Sequence, residues 1–185
     1  MTFIVIAALI LKFFFFEWVW GDLVFLAFVV VFRGGFEWLS HSCLLHANPL
    51  PVLNLRLKTR MNSDHVLHHQ RPRDFRIIMT TYKGAIAGAL ISFSAALMIS
   101  GSLDLAIGVA LIYSFYSLLL EAIHLVCHCD IRHKTSVMKK LVGLHRYHHQ
   151  YDMSTSFGVT SSMGDRFFGT YVKGGYEGYK KMGSQ

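Results

Sequence analysis

Ten of the eleven histidines in this 185-residue chain fall into four groups. The first is His41 and His46, the second His65, His68 and His69, the third His124 and His128, and the fourth His145, His148 and His149. Neutral imidazole is a common ligand for transition metals. On an α-helix, positions i, i+3 and i+4 share a face. His124 and His128 therefore point one way, as a two-histidine helical metal site requires. In the two H-x-x-H-H runs, 65–69 and 145–149, the first histidine can point with either of the other two. His41 and His46 are five apart, about 140° around an α-helix. They converge only where the helix ends, loosens or bulges, and Asn48, Pro49 and Pro51 follow at once.

Left uncoordinated, ten grouped imidazoles would be desolvated polar groups without benefit. Ten nitrogens exceed the roughly six positions of one octahedral ion, so two ions with about five nitrogens each fit the count. By donor type the ions could be Fe, Zn, Cu or Ni. His133 stands alone, and a lone histidine is read as an ordinary packed residue. Two carboxylates sit beside the ligand groups. Glu37 lies one turn before His41, and Glu121 lies three residues before His124. A ligating imidazole commonly gives its other N–H to a carboxylate, which fixes the tautomer. Glu121 is read in that role. For Glu37 a pair with Arg33, one turn earlier, is an equal alternative.

The elements that must position these groups are apolar. Residues of the hydrophobic set make up 53% of the chain and charged residues only 16%, against roughly 25% charged in a soluble domain. Long stretches have no charge. A bilayer core needs about 20 mostly apolar residues per helix, and the pattern predicts four spans near 2–20, 22–45, 83–101 and 104–127. The first is read as a retained span, because no small-x-small cleavage site follows it and Glu17-Trp18-Val19-Trp20 resembles an interfacial anchor. The expected fold is all-α, four transmembrane helices with a cytoplasmic histidine-rich cap.

Of eighteen Lys and Arg, seven lie between Arg56 and Lys83 and nine between Arg132 and Lys181. The short turns near Asp22 and Asp104 are acidic. The positive-inside rule then puts both basic segments and the N-terminus in the cytoplasm. The formal charge of +7 is membrane-surface chemistry. It forms no stripe interleaved with aromatics, so no nucleic-acid partner is expected. Cys43, Cys127 and Cys129 are read as free packing thiols. The chain thus repeats one plan twice: a helical hairpin, a histidine pair at the membrane face, and a basic segment with H-x-x-H-H.

The four histidine groups on this scaffold resemble the integral-membrane fatty acid hydroxylase/sterol desaturase superfamily. So does the tail, Phe157-Gly158-Val159-Thr160 followed by Asp165-Arg166-Phe167-Phe168-Gly169-Thr170. The resemblance runs from about Glu37 to Thr170, and it places a hydroxylase-like domain over 1–170 with a flexible C-terminal tail over 171–185. It implies an iron-dependent oxidoreductase with two iron ions, for which Zn could substitute in preparations. By carry-over the ligands would be His41, His46, His65, His68, His69, His124, His128, His145, His148 and His149. The reaction implied is hydroxylation or desaturation of an unactivated C–H bond in a lipid acyl chain. Its partners would be a membrane lipid substrate, O₂ and a separate electron donor of the cytochrome b5 or ferredoxin type. The location implied is a multi-pass protein of a bacterial inner membrane or an ER-type membrane, with the histidine clusters facing the cytoplasm. A carotenoid or sterol hydroxylase of the same superfamily is the nearest alternative, and the short segments and this tail point to acyl lipids instead. Metal-ion transport is the alternative of another class. Transport sites lie near mid-bilayer between broken helices, whereas these histidines gather at one face.

Overall fold

A computed structural model describes residues 2–49, 55–56, 59–78 and 82–174. The fold is all-α. Helix α1 is Thr2–Phe15 and α2 is Trp20–Leu39, continued by a π-helical turn over Ser40–Leu45. Then follow α3 (Arg60–Gln70), α4 (Phe75–Ile78), α5 (Tyr82–Ser100), α6 (Leu103–His128), α7 (Ser136–Gln150) and α8 (Met163–Phe167). The chain divides into two compact units, Met1–Val31 with Thr80–Ala122, and Phe32–Met79 with Ile123–Gln185.

The first unit is built from apolar helices whose outward faces carry exposed Leu23, Val24, Phe28, Leu90 and Ile91. Water would not tolerate so much contiguous apolar surface, but acyl chains do. Among the described residues, three helices are long and apolar enough to cross a membrane: Trp20–Leu45, Phe75–Ser100 and Leu103–His128. Here the expectation of four spans is corrected. Helix α1 has 14 residues, about 21 Å at 1.5 Å per residue, which is short of a hydrocarbon core of about 30 Å.

The reason is the side chain of Lys12. It is fully buried and pairs with buried Asp22 at 3.0 Å. Its Nζ also donates to the carbonyls of Glu17 at 2.5 Å and Asp104 at 2.6 Å. The Asp104 carboxylate accepts from Glu17 N, and that of Asp22 from Val19 N. These contacts turn the chain between Phe16 and Val19 and end α1. A buried charge in an apolar setting is tolerated only when paired in this way. Gly108 makes the room, since a Cβ there would overlap the Asp22 carboxylate. Gly88 likewise admits the ring of Tyr113, which is therefore helix packing.

The second unit holds all the grouped histidines. Its two histidine helices start alike. The Thr59 hydroxyl accepts from Asn62 N at the start of α3, and the Thr135 hydroxyl accepts from Met138 N at the start of α7, each satisfying one orphan N–H of the first turn. Burial differs between them. Helix α7 buries Leu141, Val142, Gly143 and Leu144 besides His145 and His148, whereas α3 buries only His65 and His68. Trp38, Cys43 and Phe157 form a small core with Phe168 packed on it. Gly164 of α8 meets the Gly34 carbonyl and Trp38 so closely that any Cβ would collide. All three cysteines are free. Residues 175–185 of the expected tail lie outside the described residues.

Candidate metal centre

The five-residue gap between His41 and His46 is resolved by the π-helical turn. His46 N donates to His41 O at 3.0 Å, the i→i+5 bond that stacks residue i+5 over residue i. Their rings lie 5.1 Å apart and 28° from parallel. Asn48 N donates to Ser42 O, and Ala47 at φ 53° ends the turn. The other groups need no such device. His65 and His69, His124 and His128, and His145 and His149 are all i, i+4 pairs on α-helices.

One side chain ties each H-x-x-H-H helix to the helix before it. Asn62 Nδ2 of α3 donates to Leu45 O at 2.7 Å. Arg146 of α7 donates from Nε to Cys127 O at 2.9 Å and from Nη2 to Cys129 O at 2.7 Å. All three acceptors are carbonyls at or just past a helix end, where partners within the helix are lacking.

The result is two groups of five, each able to hold a metal ion. His41, His46, His65, His69 and His148 form the first; His68, His124, His128, His145 and His149 form the second. Within each group the ligand atoms all lie within 4.8 Å of one another. Each group takes four histidines from one half of the sequence and one from the other. In each H-x-x-H-H the i, i+4 pair stays with its own half, and the middle histidine, His68 or His148, crosses. His133 belongs to neither group.

The donor chemistry fits a cation. Nε2 of His65 lies 3.0 Å from Nε2 of His41, 3.1 Å from that of His46 and 3.1 Å from that of His69. One ring nitrogen has at most one proton or one lone pair to offer, so these contacts cannot all be hydrogen bonds. Two ligands at right angles, each about 2.1 Å from an ion, lie about 3.0 Å apart, and that is the spacing seen. In the second group, His128 Nε2 lies 3.2 Å from His124 Nε2 and 3.1 Å from His145 Nε2. Both ring nitrogens of His68 and of His149 are buried with no hydrogen-bond partner among the described residues. Buried polar atoms are rarely left so.

The electrostatics agree. Burial holds His46 and His68 down to about 4, and burial with neighbouring imidazoles holds His69 at about 2. His65, His145, His148 and His149 are pushed well below the usual histidine range, first by burial and then by neighbouring imidazoles of the clusters. At neutral pH these rings are uncharged and keep the lone pair a metal needs.

Residues beyond the histidines complete the site. His41 Nδ1 is 2.6 Å from Phe157 O, and His148 Nδ1 is 2.7 Å from Thr155 O. Each ring donates its Nδ1–H to a backbone carbonyl, which leaves Nε2 as the free donor atom. Both carbonyls belong to one loop. Asp165, fully buried, accepts from Phe157 N at 2.8 Å, Gly158 N at 2.9 Å and the Thr170 hydroxyl at 2.7 Å. Glu37, also buried, accepts from Val159 N at 2.9 Å, Thr160 N at 2.8 Å and the Thr160 hydroxyl. Trp38 Nε1 donates to the Thr170 hydroxyl at 2.8 Å. Glu37 thus engages the loop that carries the His41 partner. Glu121 is buried on α6.

Sequence reasoning did not find Asp165, Thr155, Phe157, Asn62 or Arg146 as supports. The tail string contains Asp165 and Phe157 without giving either a role, and a backbone carbonyl leaves no mark in a residue pattern.

No curated protein and no solved structure shows a significant match to the chain. The family model described as "Fatty acid hydroxylase" matches residues 25–170. That range spans both five-histidine groups and the loop that braces His41 and His148, and the chain belongs to the fatty acid hydroxylase family of oxidoreductases.

Proposed function

We propose that the protein is a di-iron membrane oxygenase that hydroxylates, or desaturates, an unactivated C–H bond of a lipid acyl chain. It uses O₂ and two electrons from a separate donor of the cytochrome b5 or ferredoxin type. The observation that carries this reading is the pair of five-imidazole groups inside a chain of this family. His41, His46, His65, His69 and His148 would hold one iron, and His68, His124, His128, His145 and His149 the other. Iron held there supplies the O₂ chemistry and oxidising strength that no side chain has.

The chain's own part is to hold, orient and keep dry. Five neutral donors leave one of about six positions open in an octahedral site. The Phe157 ring packs at 5.4–5.6 Å from those of His41, His46 and His148, covering the first group with an apolar face. The Nδ1–H groups of His41 and His148 are committed to carbonyls, so these rings cannot turn. The substrate is a membrane lipid because the helices present apolar faces of spanning length, and acyl chains partition among them. The concentration of Lys and Arg in the two histidine-bearing segments supports a cytoplasmic orientation of the cap.

Lipid mass spectrometry of cells expressing the wild-type protein or His148→Ala tests the reading. A lipid gaining 16 mass units, or losing 2, only with the wild-type protein is the expected result. Identical lipid profiles, together with two iron ions bound to the wild-type protein, would overturn it.

A further inference from the structure

The two histidine groups are braced differently. In the first, His41 and His148 each donate Nδ1–H to a carbonyl of the loop 155–160. In the second, Nδ1 of His68, His145 and His149 is buried with no hydrogen-bond partner among the described residues, as is Nδ1 of His69 in the first. The loop holding those carbonyls is itself gripped from two sides. Asp165 takes the N–H groups of Phe157 and Gly158, and Glu37 takes those of Val159 and Thr160. Four successive backbone donors thus end on two buried carboxylates. The strap is closed by Ser156 N donating to Thr170 O at 3.0 Å and Thr170 N donating to Asp165 O at 2.8 Å. Gly158 must be glycine, because a Cβ would collide with the Ser161 carbonyl and the Asp165 carboxylate.

We infer that Asp165 and Glu37 are positioning residues for one metal only, the ion of the His41, His46, His65, His69 and His148 group. They act through the backbone of the 155–160 strap. A carboxylate that receives two backbone N–H groups fixes the peptide plane between them, and with it the direction of the neighbouring carbonyl. The Phe157 carbonyl then sets the tautomer and ring angle of His41, and the Thr155 carbonyl those of His148. Removing a partner of this kind from a ligating histidine typically weakens metal binding 10–100-fold. Among the described residues the second group has no link to the strap of this kind, so its ion should not respond.

The inference rests on the two-group assignment of ligands proposed above, and the experiment separates the two. His145→Ala/His149→Ala cripples the second group, and His46→Ala/His65→Ala cripples the first. Zn²⁺ is titrated into each background in competition with a chelating dye. Each background should bind one ion tightly. Adding Asp165→Asn should raise the Zn²⁺ Kd at least tenfold where only the first group remains, and leave it unchanged where only the second remains. Thr160→Val removes one hydroxyl from Glu37 and should act in the same direction by a few-fold, and it decides the matter if Asp165→Asn does not fold. An unchanged Kd in the first background, or equal losses in both, overturns the inference alone. A background that binds no ion, or two, overturns the ligand assignment and the inference with it.

Discussion

The rings of His69 and His149 stack face to face, 3.9 Å between centroids and 14° from parallel. Each is the last histidine of an H-x-x-H-H run, and each belongs to a different five-histidine group. The two groups therefore meet at equivalent positions of the two sequence halves. Around this contact the crossing histidines, His68 and His148, go to the opposite group.

The crossing predicts which losses combine. Although His68 lies on α3 with His65, it should fail together with His145. His68→Ala/His145→Ala should cost one ion per chain, and His65→Ala/His68→Ala should weaken both. Elemental analysis of purified protein after dialysis against a chelator measures this. His133→Ala, outside both groups, should keep the full metal content.

Lys12 and Asp22 should be worth more as a pair than either alone. Breaking a buried pair by removing one partner typically costs about 3–5 kcal/mol, whereas replacing both can be nearly neutral. Lys12→Met should therefore lower the melting temperature in detergent more than Lys12→Met/Asp22→Asn does. A double variant less stable than the single would show that the pair is not what ends α1.

Acid should destabilise the metal-free protein over a defined range. His46 and His68 titrate near 4 in the fold and near 6.5 when unfolded. Above about pH 6.5 both states are neutral at these rings and stability does not change. As pH falls from about 6.5 towards 4, the unfolded chain takes up protons first and stability is lost. Below about 4 the contribution of these two residues is level. Melting temperatures of chelator-treated protein should be level from pH 7.5 to about 6.5 and fall from there to about 4.5, and the metal-loaded protein should resist until the ion is released.

Single cysteines at Arg73 and Lys139, both exposed, should be labelled from the same side of a sealed vesicle when the three native thiols are replaced. Labelling from opposite sides would break the proposed cytoplasmic orientation of the cap.

Much of the site was legible because its chemistry is written in short spacings. His124 and His128 follow from helix geometry alone. The gap of five between His41 and His46 demanded a loosened helix, and a π-helical turn stands there. The apolar stretches set the all-α class, and the family tail marked the C-terminal boundary of the match. Hydropathy overran at one place. It read a fourth span through residues 2–20, since no local pattern shows that Lys12 turns inward to meet Asp22 and the carbonyl of Asp104.

By itself the sequence determined which atoms could bind metal, how many there are, and that they sit beside helices of membrane-spanning length. Spacing fixes direction only within one helix, where positions i+3 and i+4 differ by about 100°. Which histidine of each H-x-x-H-H crosses to the other group was decided by tertiary structure, because it depends on what the other helices place opposite each face. The same holds for Glu37, whose acceptors serve Val159 and Thr160 more than a hundred residues later. A long-range hydrogen bond to a backbone group has no signature in residue type, so only the folded chain could reveal that two buried carboxylates grip the loop whose carbonyls meet His41 and His148.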